Sequence, residues 1–392
     1  MRHVLVPKAR RTRLMRILYV AMKYDYGDPA RGYSFEHHNF FDSLIHMGND
    51  VLYFDFGTLL QKRGRTGMNQ RLLEIVKSDE PDVLFSVLYR EELDPAVLRE
   101  ISNSTTTSTV NWFTDDHWRF DTFSSRWAPV FNWVVTTAKS ALPKYAAMHY
   151  EHVIKTQWAC NHFQYHPLEL PKQYDVSFVG QPHGNRRAVV RQLRGAGIHV
   201  DLWGRGWANG RVSQQDMIRI FNQSRINLNL SNSSLPPTQT ARGVAAINRL
   251  LESVALPGNA RDSLAGWLVT LADRARSGRA PSSQIKGRNF EVPGCGGFLL
   301  TDEAENLAEY YIPGQEVVTF RDTASMIEAI QYYLAHEAER EGVAMAGYTR
   351  TLREHTYVHR FAAIFDRMGL PPTNVEQAIA GRLADGQVEE IE

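Results

Sequence analysis

Gln284-Ile-Lys-Gly-Arg-Asn-Phe-Glu-Val-Pro-Gly-Cys-Gly-Gly-Phe-Leu-Leu-Thr301 sets two cations and one acid ahead of a glycine cluster that runs straight into an apolar strand. The combination suits a nucleotide. Lys286 and Arg288 are able to neutralise phosphates, Glu291 to accept from ribose hydroxyls, and Gly294, Gly296 and Gly297 to let backbone approach a ligand with no side chain between. Lys286 and Arg288 are separated by one residue, so an extended approach turns both toward a shared target. Phe290 and Val292-Pro293 make the surroundings of Glu291 apolar, where an unpaired carboxylate is costly, so this acid needs hydrogen-bond donors.

Working outward, short apolar runs alternate with helix-length segments, as in parallel sheets covered by helices. The first half predicts strands at 16–21, 50–54, 83–87, 109–113 and 133–136. Phe41, Leu44 and Ile45 share a face and mark 34–47 as the first crossover helix. A second cycle starts at Asp175, with a strand at 176–179, a helix at 186–194 ended by Gly195, and strands at 199–203, 226–230 and 298–300. Pro167, Pro171 and Lys172-Gln173 mark a linker between two doubly wound α/β domains.

Composition bounds the function. A chain of 392 residues fits two domains, and 44 basic against 43 acidic side chains leave no global field to attract nucleic acid. Cys160 and Cys295, the only cysteines, suggest neither a metal cluster nor a disulfide scaffold and point to a reducing cytoplasm. No run of about 18 apolar residues is present to span a bilayer. Residues 1–14 carry Arg2, Lys8, Arg10, Arg11 and Arg13 without the apolar core of a secretory signal, so they form a disordered extension or a peripheral contact with acidic lipid.

Further landmarks lie in order around the opening segment. They are Tyr174-Asp-Val-Ser-Phe-Val-Gly180 followed by His183-Gly-Asn-Arg-Arg187, then Gly204-Arg-Gly-Trp207, Ser224-Arg-Ile-Asn-Leu-Asn-Leu230 and His355-Thr-Tyr357. In this co-linear order the chain resembles the GT-B glycosyltransferases, most closely the CgeB-type group of spore-maturation glycosyltransferase-like proteins. The resemblance covers most of the chain and implies two Rossmann-like domains facing a central cleft. Residues 15–170 would hold the acceptor, 171–355 the nucleotide-sugar donor with a helical insertion at 241–283, and 356–370 would cross back to the first domain. The tail 371–392 is acidic and poor in large apolar groups, which predicts disorder.

The activity implied is transfer of a sugar from a nucleotide-diphosphate donor, such as a UDP-sugar, to a hydroxyl of a glycan, lipid-linked or small-molecule acceptor, without metal or other cofactor. A nucleotide-sugar epimerase and a non-catalytic nucleotide-sugar-binding protein stay open as alternatives. Ligands of open α/β sheets bind beyond the carboxyl ends of the strands. There, Gly180, Arg186 and Arg187 offer a helix start and two charges to phosphate, while Ser231 to Ser234 add small polar groups. Asp115, Asp116 and His117 follow a first-domain strand and are the candidates for acid–base work. Gly32, in the loop 24–33, and His37, beside His38 at a helix start, are the acceptor-side candidates. Many retaining members of the fold carry a second glutamate eight residues before the first; here that position is Ser283, which leaves the stereochemical outcome open. The insertion 241–283 suits a solvated surface helix or a lid.

Overall fold

The computed structural model describes residues 15–231, 284–380 and 388–391. The extension 1–14, the insertion 241–283, Ser283 and most of the polar loop 231–234 lie outside the described residues. The first sheet takes β1 (Arg16–Ala21), β2 (Asp50–Asp55), β3 (Val83–Ser86), β4 (Ser108–Phe113), β5 (Trp133–Thr136) and β6 (Val153–Lys155), all in parallel register. Continuous apolar runs build it because both faces are covered. From β1, Leu18 and Val20 pack beneath the helices Phe56–Asp79 and Pro95–Ser104, while Ile17, Tyr19 and Ala21 meet Phe40, Leu44 and the helix Tyr357–Arg367. Asp55 and Asp94 start the two covering helices by accepting from Gly57 N and Ala96 N.

The second sheet runs in the order β11-β10-β9-β7-β8, again parallel throughout, from β7 (Tyr174–Val179), β8 (Asp201–Trp203), β9 (Ser224–Asn229), β10 (Leu299–Asp302) and β11 (Val318–Phe320). Val190 and Leu193 of the helix Arg186–Gly195 cover one face with Met326 and Ile330. The opposite face is packed by Met217, Ile218 and Phe221 of the helix Gln214–Gln223 and by Phe290 and Val292, and Cys160 and Tyr165 join this core from ahead of β7. Among the described residues no helix is long and apolar enough to cross a membrane.

Of the tail expected to be disordered from 371 onward, the described residues 371–380 and 388–391 hold regular structure. A helix at Val375–Ile379 is capped by Asn374, and β12 (Val388–Glu390) pairs in parallel with β2 at the edge of the first sheet. Ile391 N continues the ladder to Tyr53 O at 3.2 Å. Strand addition uses main-chain groups along an open edge, so a stretch short of large apolar side chains still orders there. Lys23 Nζ holds the Glu390 carboxylate at 2.6 Å beside it.

Candidate active site

The segment that opened the sequence reading is helical where an extended approach was expected. The helix Arg288–Gly294 begins at Gly287 and ends in a Schellman motif, with Gly297 N donating to Val292 O at 3.0 Å and Gly296 N to Pro293 O at 2.8 Å. Gly296 has φ 67°, the left-handed cap position. A Cβ at Gly294 would lie 2.2 Å from Cys160 Sγ, and one at Gly297 2.9 Å from Asn227 Nδ2. The three glycines therefore end the helix and let it sit on its neighbours; they do not face a ligand as expected.

Helical geometry also separates the two cations. Arg288 and Glu291, one turn apart, form an ion pair, while Lys286 turns elsewhere and donates to Gln284 Oε1 at 2.8 Å. The expectation of a shared target for Lys286 and Arg288 fails for this reason. Glu291 is 0% exposed and also accepts from Tyr165 Oη at 2.9 Å, itself an acceptor from Gln214 Nε2 at 2.7 Å. The donors Glu291 needs thus come from within the protein, where the carboxylate positions Arg288.

Arg186 and Arg187 open the helix after β7 but diverge. Arg186 turns inward, donating to Gln181 O at 2.7 Å and to Leu230 O, with its guanidinium 5.2 Å from the Phe178 ring centroid. Burial pushes its pKa down to about 10, and Arg288 adds to the effect while Asp302 opposes it. Arg187 is exposed and braces the neighbouring turn through Gly206 O at 2.7 Å and the Trp207 ring. Gly180 belongs to the same brace. Its carbonyl accepts from Trp207 Nε1 at 2.8 Å, and a Cβ on Gly204 would lie 2.3 Å from that oxygen. The Gly180 carbonyl is thus taken up by the 204–207 turn, while the residue itself stays partly exposed.

The first-lobe candidates also part company. Asp116 is buried and accepts from Tyr145 Oη at 2.8 Å; burial raises its pKa, and its place inside the lobe makes it a structural acid, not the catalytic one expected. Asp115 starts the next helical turn, its carbonyl accepting from Trp118 N and Arg119 N, and its charge acts on Lys286 of the second lobe. Burial pushes the Lys286 ammonium down, Asp115 opposes this, and Arg186 adds to it. His117 is pushed to about 4 by burial and then by Lys286 and Lys155, so it is a neutral imidazole at physiological pH. Among the described residues its buried Nδ1 has no hydrogen-bond partner. Asp115, His117, Lys286 and Arg186 are the sequence candidates that the fold brings within electrostatic reach of one another.

His37, an acceptor-side candidate, sits among first-lobe aromatic rings. It stacks on Tyr33 at 4.1 Å, contacts Tyr53 Oη through Nδ1 at 3.4 Å and is pushed to about 3, chiefly by burial. His38 is the neighbour that feels Glu291 and Arg211 across the cleft. Gly32, the other acceptor-side candidate, has φ 77°, and its carbonyl accepts from Asp25 N at 3.0 Å to close the loop 24–33; a Cβ there would meet nothing within 4 Å.

Sequence reasoning passed over several groups that join the lobes. Arg211 reaches Asp25 at 2.6 Å, Lys139 reaches Glu309 at 2.6 Å, and Lys155 donates to Tyr310 Oη at 2.5 Å. Lys155 ends a strand of three residues, too short to register as periodicity, and the other pairs have no local signature.

Residues 186–260 and 257–366 match the glycosyl transferase-like family. The fold is similar to sucrose-phosphate synthase from Thermosynechococcus elongatus, at 10% identity over 91% of this chain and 97% of that one, with a TM-score of 0.55. It is similar to HepE from Anabaena, solved in complex with UDP-glucose, at 10% identity over 91% and 99% of the two chains and a TM-score of 0.56. A glycosyltransferase from Rickettsia africae gives 8% identity, the same coverage of 91% and 99%, and a TM-score of 0.55. No curated protein gives a significant match to the sequence. The two parallel sheets and these likenesses give the chain the GT-B fold.

Proposed function

We propose that this protein is a metal-independent glycosyltransferase that moves a sugar from a nucleotide-diphosphate donor to an acceptor hydroxyl, and that on its motif order it falls in the CgeB-type group. The observation that carries the reading is electrostatic. Lys286 and Arg186 are half-buried cations whose pKa values burial depresses; Arg186 adds to the depression at Lys286 and Arg288 to that at Arg186, with Asp115 and Asp302 opposing. A buried cluster of this sign is stabilised by an anion, and a departing diphosphate is such an anion. Lys286 and Arg186 are the direct phosphate ligands, and Arg288, held by Glu291, adds positive field behind them.

His117, opposite Lys286 and neutral, is the group to take a proton from the attacking hydroxyl, with Asp115 setting the local field. Two buried free thiols, Cys160 and Cys295, support a reducing compartment, which is the cytoplasm. The complex of HepE with UDP-glucose supports UDP-glucose as the first donor to try.

Thermal unfolding of the full chain with UDP, UDP-glucose, UDP-N-acetylglucosamine and GDP-mannose tests the reading. A donor at ten times its Kd raises stability by about 1.4 kcal/mol. Lys286→Ala removes a charged contact of about 1.5–3 kcal/mol and weakens the donor by roughly 10- to 150-fold. His117→Ala slows turnover with donor affinity kept. Failure of every nucleotide sugar to stabilise the wild-type protein overturns the proposal.

A further inference from the structure

The geometry points to a saccharide-stacking subsite on Tyr26, Tyr33 and Tyr89 at the mouth of the first lobe, where we propose that a neutral pyranose ring of the acceptor lies. The inference rests on the transferase reading and names the acceptor class for it. Three loops at the carboxyl ends of adjacent strands build the shelf: Tyr26 and Tyr33 follow β1, Tyr89 follows β3, and Arg119 follows β4. Tyr24 and Tyr33 pair across the first loop with rings 5.6 Å apart and nearly parallel. Tyr26 meets Tyr89 edge-on at 5.6 Å, with the Arg31 guanidinium 4.4 Å from the Tyr26 centroid.

These rings are not buried as core. Tyr26 is 56% and Tyr33 44% exposed, and Tyr26 is held at φ 54°, a left-handed conformation disfavoured for a residue with a Cβ. A strained backbone that presents a large ring to solvent at a cleft mouth is poor packing and good ligand geometry. Asp25, beside Tyr26, takes Arg31 at 3.1 Å and the second-lobe Arg211 at 2.6 Å, which sets the shelf against the opposite lobe.

A pyranose offers a flat face of C–H groups bordered by hydroxyls, and a tyrosine offers an apolar face with a polar tip. Arg31 and Arg211 share the single carboxylate of Asp25, and Arg119 donates to Tyr89 O at 2.8 Å, so each guanidinium is held by a partner in the protein. A ring that lies flat on tyrosine through its C–H face needs no charge of its own, and a neutral pyranose is the occupant this chemistry fits.

The test uses the full chain with UDP present, a glycan array, and saturation-transfer NMR on the array hits together with maltotriose, cellotriose, chitotriose and xylotriose. At least one neutral saccharide is expected to receive saturation at its ring C–H protons. Tyr26→Gly should weaken it at least tenfold, and Tyr26→Phe should retain it within twofold. Glycine suits φ 54°, so loss of binding in Tyr26→Gly does not reflect loss of the fold, and Tyr33→Ala supplies a second variant. Absence of saccharide binding in the wild type, wild-type binding in both Tyr26→Gly and Tyr33→Ala, or binding of p-nitrophenol or glucose 6-phosphate in place of neutral saccharides overturns the subsite. The thermal shift with UDP-glucose on the same samples keeps the two ideas apart. Saccharide binding without any nucleotide-sugar response sinks the transferase reading and leaves the subsite standing, while the reverse pattern sinks the subsite alone.

Discussion

Replacing Glu291 by alanine tests whether the helix Arg288–Gly294 is held by an internal ion pair. The carboxylate is 0% exposed, pairs with Arg288 and accepts from Tyr165 Oη at 2.9 Å. Leaving one partner of a buried pair uncompensated costs about 3–5 kcal/mol, and an orphaned buried hydroxyl about 1–3 kcal/mol more. The Arg288 side chain keeps 28% exposure, so water recovers part of its solvation and the lower end applies, about 3 kcal/mol. In the double variant Arg288→Met with Glu291→Gln, no charge is left buried and Tyr165 keeps an acceptor, so stability should return to within about 1 kcal/mol of the wild type. Urea unfolding followed by circular dichroism reads both, with the slope m unchanged. A Glu291→Ala protein within about 1 kcal/mol of wild type, or a double variant as unstable as the single one, would refute the buried-pair account.

Three further outcomes are open to measurement. Gly204→Ala, at φ 133° and with its Cβ 2.3 Å from Gly180 O, should lose about 2–4 kcal/mol in chemical unfolding; a loss under about 0.5 kcal/mol contradicts the close approach. His37 is pushed to about 3 and His117, His355 and His359 to about 4, each chiefly by burial, while the unfolded chain titrates near 6.5. Their depressed values mean the unfolded state takes up the protons first. Stability is therefore full above pH 6.5 and falls toward pH 4, by up to about 1.4 kcal/mol per pH unit for each imidazole. Urea midpoints that stay level between pH 7 and pH 5 are incompatible with four neutral buried imidazoles. Truncation after Ala380 removes β12, and hydrogen exchange should then show faster amide exchange in β2; unchanged protection would return the tail to the disorder its composition suggests.

The sheets were legible because their signal is local. β1 and β5 span the residues that the apolar runs at 16–21 and 133–136 predict, and the restart after Asp175 marks the second sheet. The three-residue strands β6 and β11 were not legible, whereas β8, equally short, was marked by the helix and Gly195 ahead of it, and β12 was hidden because edge pairing depends on the neighbour's main chain and not on its own side chains. The glycine cluster misled for a similar reason. Gly296 suits a ligand-facing loop and a helix cap equally well, and only its N–H bond to Pro293 O and the packing of Cys160 against Gly294 and of Val292 against Gly297 select the cap.

Residue types at the candidate site were visible in the chain, but their partners were not. That Lys286 lies opposite Asp115 and His117, and that Tyr165 takes up Glu291, depends on contacts between segments more than a hundred positions apart, for which no local pattern exists. By itself the sequence determined two parallel α/β layers and a supply of cations near strand ends, since backbone period and charge are written residue by residue. Tertiary structure alone decided that Arg288 pairs with Glu291 while Lys286 comes to lie opposite Asp115 and His117, because burial and pairing exist only once distant segments meet.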